Sequence, residues 1–237
     1  MKGEVQARLA QVRSATDRLL QTVGGLEPGE LNAPSLCDGW TKGHVLAHIA
    51  LNADSLVNLF TWAATGVETP QYPSWERRDT DIDRFSTRTV EEHLEELRAS
   101  AQRYTAAALA VPDRRWSALV AGIGSELQPA SNYLGARRRE VEVHHWDLDA
   151  GYGPRDWPDD FVAEGLELAT QRFAERVDHP FELEDRSSGR VLAVGAGAGR
   201  RVLGEGADLL AWMLGRNRGE ALETSDGRPL PTLGSWG

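Results

Sequence analysis

The chain has 237 residues, 41% of them hydrophobic and 26% charged, a composition that excludes an intrinsically disordered chain and suits one large domain or one domain with a small companion. Its formal net charge of -10 repels a phosphate backbone, so nucleic acid is not an expected partner; the one basic run, Arg137 to Arg139, is followed at once by Glu140 and Glu142 and reads as an ion-paired or solvated helix face. A single cysteine, Cys37, excludes an internal disulfide framework and a cysteine-cluster metal site, so any bound metal must use imidazole and carboxylate.

The opening residues MKGEVQARLAQVRSATDRLL hold no uninterrupted apolar run, and no later window approaches about 18 apolar residues, so neither a signal peptide nor a membrane span is expected and the expected compartment is the cytoplasm. Leu9, Val12, Leu19, Leu20 and Val23 recur at helical spacing and predict a first helix over 4–23, stopped by Gly24 and Gly25. A second helix is expected from Thr41 to Thr65, with Val45, Ile49, Leu56, Leu59 and Phe60 as its apolar stripe and Gly66 as its stop. The third opens on a capping box, Thr89 with Glu92, and ends before Pro112. From Val111 to Ser131 the pattern weakens to a loop or short hairpin, after which a fourth helix should run from Ser131 to Gly151. Amphipathic helices of similar length predict an up-down four-helix bundle over residues 1–153.

After Gly153 the texture changes. A helix begins at DWPDD, with Pro158 in its first turn, and reaches about Asp178; FELEDRSSGRVLAVG alternates around a Ser-Gly turn as a β-hairpin does; and GADLLAWMLGR reads as a short helix. Residues 154–237 are therefore expected to form a smaller α/β domain, giving an α+β chain overall.

Two segments carry the candidate chemistry. In HVLAH, His44 and His48 stand one turn apart on the second helix; in RRREVEVHHWDLD, Glu140 and His144 stand one turn apart on the fourth. If the two helices are neighbours, one of the histidines meets Glu140 and His144 across the bundle core, and spacing alone does not choose between His44 and His48. Two imidazoles and a carboxylate suit zinc and leave a fourth position open, which is a catalytic rather than a structural arrangement.

The segments GWTKGHVLAHIALNADSLVNLFTWAATGVETPQY, RRREVEVHHWDLDAGY and LLAWMLGR together resemble the mycothiol-dependent maleylpyruvate isomerase family, within the DinB-like superfamily of metal-binding helical bundles, over nearly the whole chain. The resemblance implies a DinB-like bundle followed by the α/β domain, zinc held by His48, Glu140 and His144, and a substrate-side arginine at Arg216, with Arg218 the alternative. It leaves His44 outside the ligand set. Asp147 reads as a surface carboxylate, with support of a ligand as the alternative, and Cys37 lies on no motif of the family. The implied reaction isomerises maleylpyruvate to fumarylpyruvate, using mycothiol as the borrowed thiol. The partners are then an anionic small molecule and a low-molecular-weight thiol, and nothing in the sequence calls for more than a monomer. Trp40, Asn52 and Trp62 are the residues whose position raises the question of mycothiol contact, with core packing as the simpler account of the tryptophans. A mycothiol S-transferase or a non-catalytic zinc- or thiol-binding module would use the same ligands.

Overall fold

The computed structural model describes residues 2–197 and 199–234. The chain divides into two compact units, Met1–Tyr152 and Gly153–Gly237, the second including three terminal residues that lie outside the described ones.

The first unit contains helices α1 (Lys2–Val23), α2 (Lys42–Thr65), α3 (Trp75–Phe85), α4 (Val90–Ala110) and α5 (Asn132–Asp147). Local chemistry explains where they start and stop. Thr41 caps α2 in a box completed by His44, Gly66 closes it in the left-handed region at φ 80°, and Thr89 and Glu92 exchange the two hydrogen bonds of the expected capping box on α4, at 3.2 and 2.8 Å. A short antiparallel ladder of β1 (Leu119–Val120) and β2 (Gln128–Pro129) fills the weakly patterned stretch before α5.

α1, α2, α4 and α5 form the bundle around two layers of core. One layer joins Val5, Leu9 and Val12 of α1 to Leu56, Leu59 and Phe60 of α2, Tyr104 and Ala108 of α4, and Tyr133 and Leu134 of α5. The other joins Ala15, Leu19 and Val23 to Val45, Leu46 and Ile49, then to Val90 and Leu97, and to Val141 and Leu148. The end of α1 and the end of α5 thus share a layer with the beginnings of α2 and α4. The chain runs up, down, down and up, which corrects the simple up-down order expected from the sequence.

The reason is α3, a helix the sequence pattern did not predict because Ile82 is its one buried residue. It packs on α2 and carries the chain back toward the start of α2, so that α4 begins at the same end. The return is tight: a Cβ at Gly43, in the first turn of α2, would collide with the Ser86 carbonyl just past α3, so only glycine fits there.

In the second unit, α6 (Asp159–Phe173) begins after Pro158, which sits at the cap position rather than inside the first turn, and ends before the expected Asp178. The predicted hairpin is β3 (Phe181–Asp185) with β4 (Arg190–Val194), in the register Phe181 opposite Val194, turning through Gly189 at φ 71°. Two strands not foreseen complete a sheet of order β4-β3-β5-β6: β5 (Arg200–Gly204), parallel to β3, and β6 (Glu223–Thr224), antiparallel to β5. α7 (Gly206–Met213) packs against α6 and the sheet. A helical bundle followed by a small mixed sheet with two helices makes the chain α+β. Among the described residues, no helix is long and apolar enough to cross a membrane.

His93 of α4 is 1% exposed, and burial pushes its imidazole down to about 4 despite a hydrogen bond to the Ser86 backbone. The folded chain therefore binds fewer protons than the unfolded one between about pH 6.5 and 4, and stability present above that window falls as the pH drops through it. Replacing His93 by Leu is expected to flatten the acid limb of urea-unfolding stability by up to roughly 3 kcal/mol; an unchanged limb would show that other groups set it.

Candidate functional site

α2 holds His48 on its inward face, while the neighbouring turn directs His44 back to the helix start, where its Nδ1 lies 2.7 Å from the Thr41 hydroxyl. His44 therefore caps α2 and its ring stacks beside Trp40. On α5 the one-turn spacing brings Glu140 and His144 to the same edge. Glu140 Oε2 is 2.9 Å from His48 Nε2 and 3.6 Å from His144 Nε2, and the two imidazoles meet edge to face at 4.6 Å between centroids. These three side chains offer ligand atoms within 4.8 Å of one another.

The donor set fits a divalent metal ion. Tetrahedral ligands at zinc-type bond lengths stand about 3.4 Å apart, and the two separations from Glu140 fall on either side of that value. Glu140 keeps 32% and His144 14% of its side-chain exposure, so the trio is open on one side. The protonation states of the three groups are coupled. Burial, reinforced by the charge of His144, pushes His48 down to about 4, which keeps it neutral. Burial would raise Glu140, but the hydrogen bonds from His144 and His48 overcome it and hold the carboxyl well below its usual range. Burial likewise works against charge on His144, and contacts with Asp147, Cys37 and Glu140 outweigh it and raise that group well above the ordinary imidazole value.

Behind His144 lies a second group. Asp147 Oδ2 is 2.8 Å from His144 Nδ1 and 3.3 Å from the Cys37 sulfur, which donates to it, so Asp147 is buried against the trio and is not the surface carboxylate expected from the sequence. Its backbone carbonyl accepts from Leu36, tying the Cys37 loop to the end of α5. Cys37, His144 and Asp147 form a second cluster with metal-ligand atom types. Because the two clusters use opposite nitrogens of one ring, the simplest chemistry assigns Nε2 to a metal and Nδ1–H to Asp147, which would fix the ring and its tautomer.

The relative register of α2 and α5 is set by Arg137, 1% exposed, whose Nη1 donates to the Ile49 carbonyl and the Asn52 side-chain oxygen, each at 2.8 Å. Asn52 is thereby committed to packing beside the site. Trp62 packs against the other core layer, away from the trio, whereas Trp40 lies 5.5 Å from His48 between ring centroids. Sequence reasoning missed Arg78 of α3, whose Nη2 is 3.3 Å from His48 Nδ1. The signal for its helix was Ser74, which accepts a hydrogen bond from Arg77 as an N-cap, followed by Glu76 in the first turn.

Arg216 lies in the second unit, just past α7. Its amide bonds back to the Ala211 carbonyl while Gly215, at φ 71°, bonds to Trp212, the paired bonds of a Schellman cap. That motif fixes the backbone from which the exposed Arg216 side chain projects; Arg218 follows, exposed, with its amide on Glu220.

The family model for the mycothiol maleylpyruvate isomerase N-terminal domain matches residues 12–149, more than half of the chain and the whole span of the trio. The chain belongs to the mycothiol maleylpyruvate isomerase family. Consistent with membership, a crystal structure of the mycothiol-dependent maleylpyruvate isomerase is 29% identical and superposes with a TM-score of 0.87, covering 98% of this chain and 97% of that one. A histidine-to-alanine mutant of the mycothiol-dependent maleylpyruvate isomerase matches with a TM-score of 0.86 at the same identity and coverage. No curated protein matches. The isomerase-family match spans α2 and α5, the elements that carry His48, Glu140 and His144.

His48→Ala and Glu140→Ala are each expected to lower the divalent-metal content of purified protein, read by elemental analysis; full occupancy in both would remove them from the ligand set. Asp147→Asn should retain a metal but bind it on the order of 10–100-fold more weakly in a chelator competition, with undiminished affinity assigning Asp147 to packing alone.

Proposed function

We propose that the chain is a zinc- and mycothiol-dependent cis-trans isomerase that converts maleylpyruvate to fumarylpyruvate. The observation that carries this reading is the convergence of His48, Glu140 and His144 on an open edge of the bundle, in a chain similar along nearly its full length to a mycothiol-dependent maleylpyruvate isomerase. In this reading residues 1–153 form the metal-binding bundle and 154–237 the α/β domain.

His48, Glu140 and His144 would hold a divalent ion, whose charge would favour the thiolate form of a nearby thiol at neutral pH, a form that a free thiol adopts only in small part. The reaction needs that nucleophile because a cis double bond conjugated to carbonyl groups does not rotate. Addition of the thiolate to one alkene carbon moves the π electrons onto the carbonyl as an enolate; the remaining single bond turns, and collapse of the enolate expels the thiolate and restores the double bond in the trans form. Atoms balance without any oxidant, and the thiol is returned.

The chain's own groups prepare this chemistry. Neutral His48 could offer a lone pair without first losing a proton, His144 would give up its proton on loading, and with Glu140 as the single anionic member a divalent ion held there would keep net positive charge for an anion. Asp147 holds the His144 ring. Arg216 is the group we assign to a substrate carboxylate and the developing enolate, since a guanidinium stays charged and offers two parallel donors.

The reading is tested by incubating the zinc-loaded protein with maleylpyruvate, with and without mycothiol, while free thiol is counted. Turnover that requires mycothiol and leaves its concentration unchanged is expected; steady consumption of thiol would make the chain an S-transferase, and a site that binds metal and thiol with no reaction would make it a binding module. Arg216→Ala should keep its metal and lose about a hundredfold or more in turnover, and unchanged turnover would pass the carboxylate role to another cation.

A further inference from the structure

α3 brings to the trio a positive charge that the proposed chemistry has not used. The Arg78 side chain is only 17% exposed, and its guanidinium carbon lies 5.8 Å from the centre of the Trp40 ring and 5.7 Å from that of Trp75. Nη1 reaches the exposed Asp79 carboxylate at 2.6 Å, Nη2 faces His48 Nδ1 at 3.3 Å, and the Tyr72 phenol lies against the same group. Trp75 itself is 54% exposed, an unusual setting for so large an apolar side chain, and it stands on the turn of α3 that carries Arg78.

With a metal ion on His48, this arrangement would lack an acceptor for one donor and a counter-charge for the guanidinium. The first concerns donors. An imidazole that gives its Nε2 lone pair to a metal carries its proton on Nδ1, so His48 Nδ1–H and Arg78 Nη2–H would then face each other as two donors with no acceptor between them. Nη1 is engaged by Asp79, so Nη2 would have to turn from the imidazole to an oxygen acceptor. The second concerns charge. A divalent ion with one carboxylate ligand is a net cation, and a guanidinium held beside it by two aromatic faces is repelled unless an anion lies between or alongside them. Asp79, exposed to solvent, screens this weakly. A planar carboxylate answers both requirements: it accepts two parallel N–H bonds from the guanidinium and neutralises its charge. Sugar and inositol hydroxyls, the bulk of mycothiol, answer only the first.

We propose that Arg78 is a substrate-binding residue of the helical unit, gripping one carboxylate of a conjugated, anionic substrate beside the His48–Glu140–His144 centre, with Trp40 and Trp75 flanking the guanidinium. The proposal rests on the reading of the trio as a metal centre that acts on such an acid, and it makes α3 the element that confers preference for charged substrates over neutral electrophiles.

The test uses full-length zinc-loaded protein, the variants Arg78→Met and Arg78→Lys, and maleate as a non-reacting probe. Metal content is expected to be unchanged in both variants. Maleate affinity, measured by calorimetry, should fall at least tenfold in Arg78→Met and by less in Arg78→Lys, which keeps the charge but not the paired donors. In turnover, KM for maleylpyruvate should rise by a similar factor while KM for mycothiol stays constant. Trp75→Ala, at an exposed position where the fold is not at stake, should weaken maleate severalfold. Equal maleate affinity in wild type and Arg78→Met overturns the proposal, as does loss of metal from Arg78→Met, which would make Arg78 a support for His48. Maleate binding that depends on Arg78 in a protein without isomerase activity would uphold this subsite and overturn the assigned reaction; isomerisation with KM unaltered in Arg78→Met would do the reverse.

Discussion

A fully buried guanidinium holds the site together. Arg137 enters the bundle from α5 and spends a hydrogen-bonding group on the middle of α2, at the Ile49 carbonyl and the Asn52 amide oxygen, with the Tyr104 ring 6.0 Å away. Desolvating such a charge costs several kcal/mol, and burial accordingly lowers its pKa while neighbouring acidic groups partly restore it. A cost of that size is tolerated only where the geometry is demanding. Ile49 adjoins His48 and Arg137 lies one turn before Glu140, so the bond that the guanidinium makes is also what sets the distance between the imidazole of one helix and the carboxylate of the other. Apolar packing in the same place would permit α5 to slide along α2; a directional bond to a particular carbonyl does not.

Around that clamp the chain gathers a local field opposite to its overall one. The formal charge is -10, yet buried Arg137 and the raised His144 both interact with the Glu140 carboxylate, and Arg78 reaches His48 beside it. A neutral His48, an ionised Glu140 and a cationic His144 within a few ångströms are mutually satisfying as they stand. The same trio can exchange the proton on His144 for a metal ion with little rearrangement, because the heavy atoms already stand near ligand separations. Placing Asp147 at 0% exposure against the far nitrogen of His144 leaves that ring little freedom to turn.

What was legible in the sequence is what is local. The capping box at Thr89, the glycine stop after α2, the Ser-Gly turn between β3 and β4 and the one-turn spacing of Glu140 and His144 are all written within a few consecutive residues, and the three side chains drawn together by them were identifiable in advance. Elements that depend on distant partners were not. α3 buries Ile82 alone and so leaves almost no apolar period, yet it reverses the chain and thereby decides that α4 runs beside α2 in the same direction. β5 is recognised only through its direct parallel pairing with β3, from which β4 separates it in sequence but not in the sheet. Asp147 looks like a surface acid until the Cys37 loop is folded over it, and Arg78 has no sequence relation to His48 at all. Spacing alone did not separate His44 from His48; the family resemblance did, and the structure shows the His44 ring capping its own helix.

The two core layers have a consequence for how this scaffold can change over evolutionary time. The layer remote from the trio contains Phe60, Tyr104 and Trp116, whose rings meet at 5.4 and 5.5 Å around Phe60, and it draws on all four bundle helices. It shares no ionisable ligand with the other end. Foldability is thus invested where chemistry is absent, and chemistry is placed where the helices are held by polar bonds that substitutions can rewire one at a time. Such a bundle can exchange ligands, or accept a different helix in the position of α3, while the aromatic end continues to specify the same topology, which gives the architecture room to acquire new substrates without first having to find a new fold.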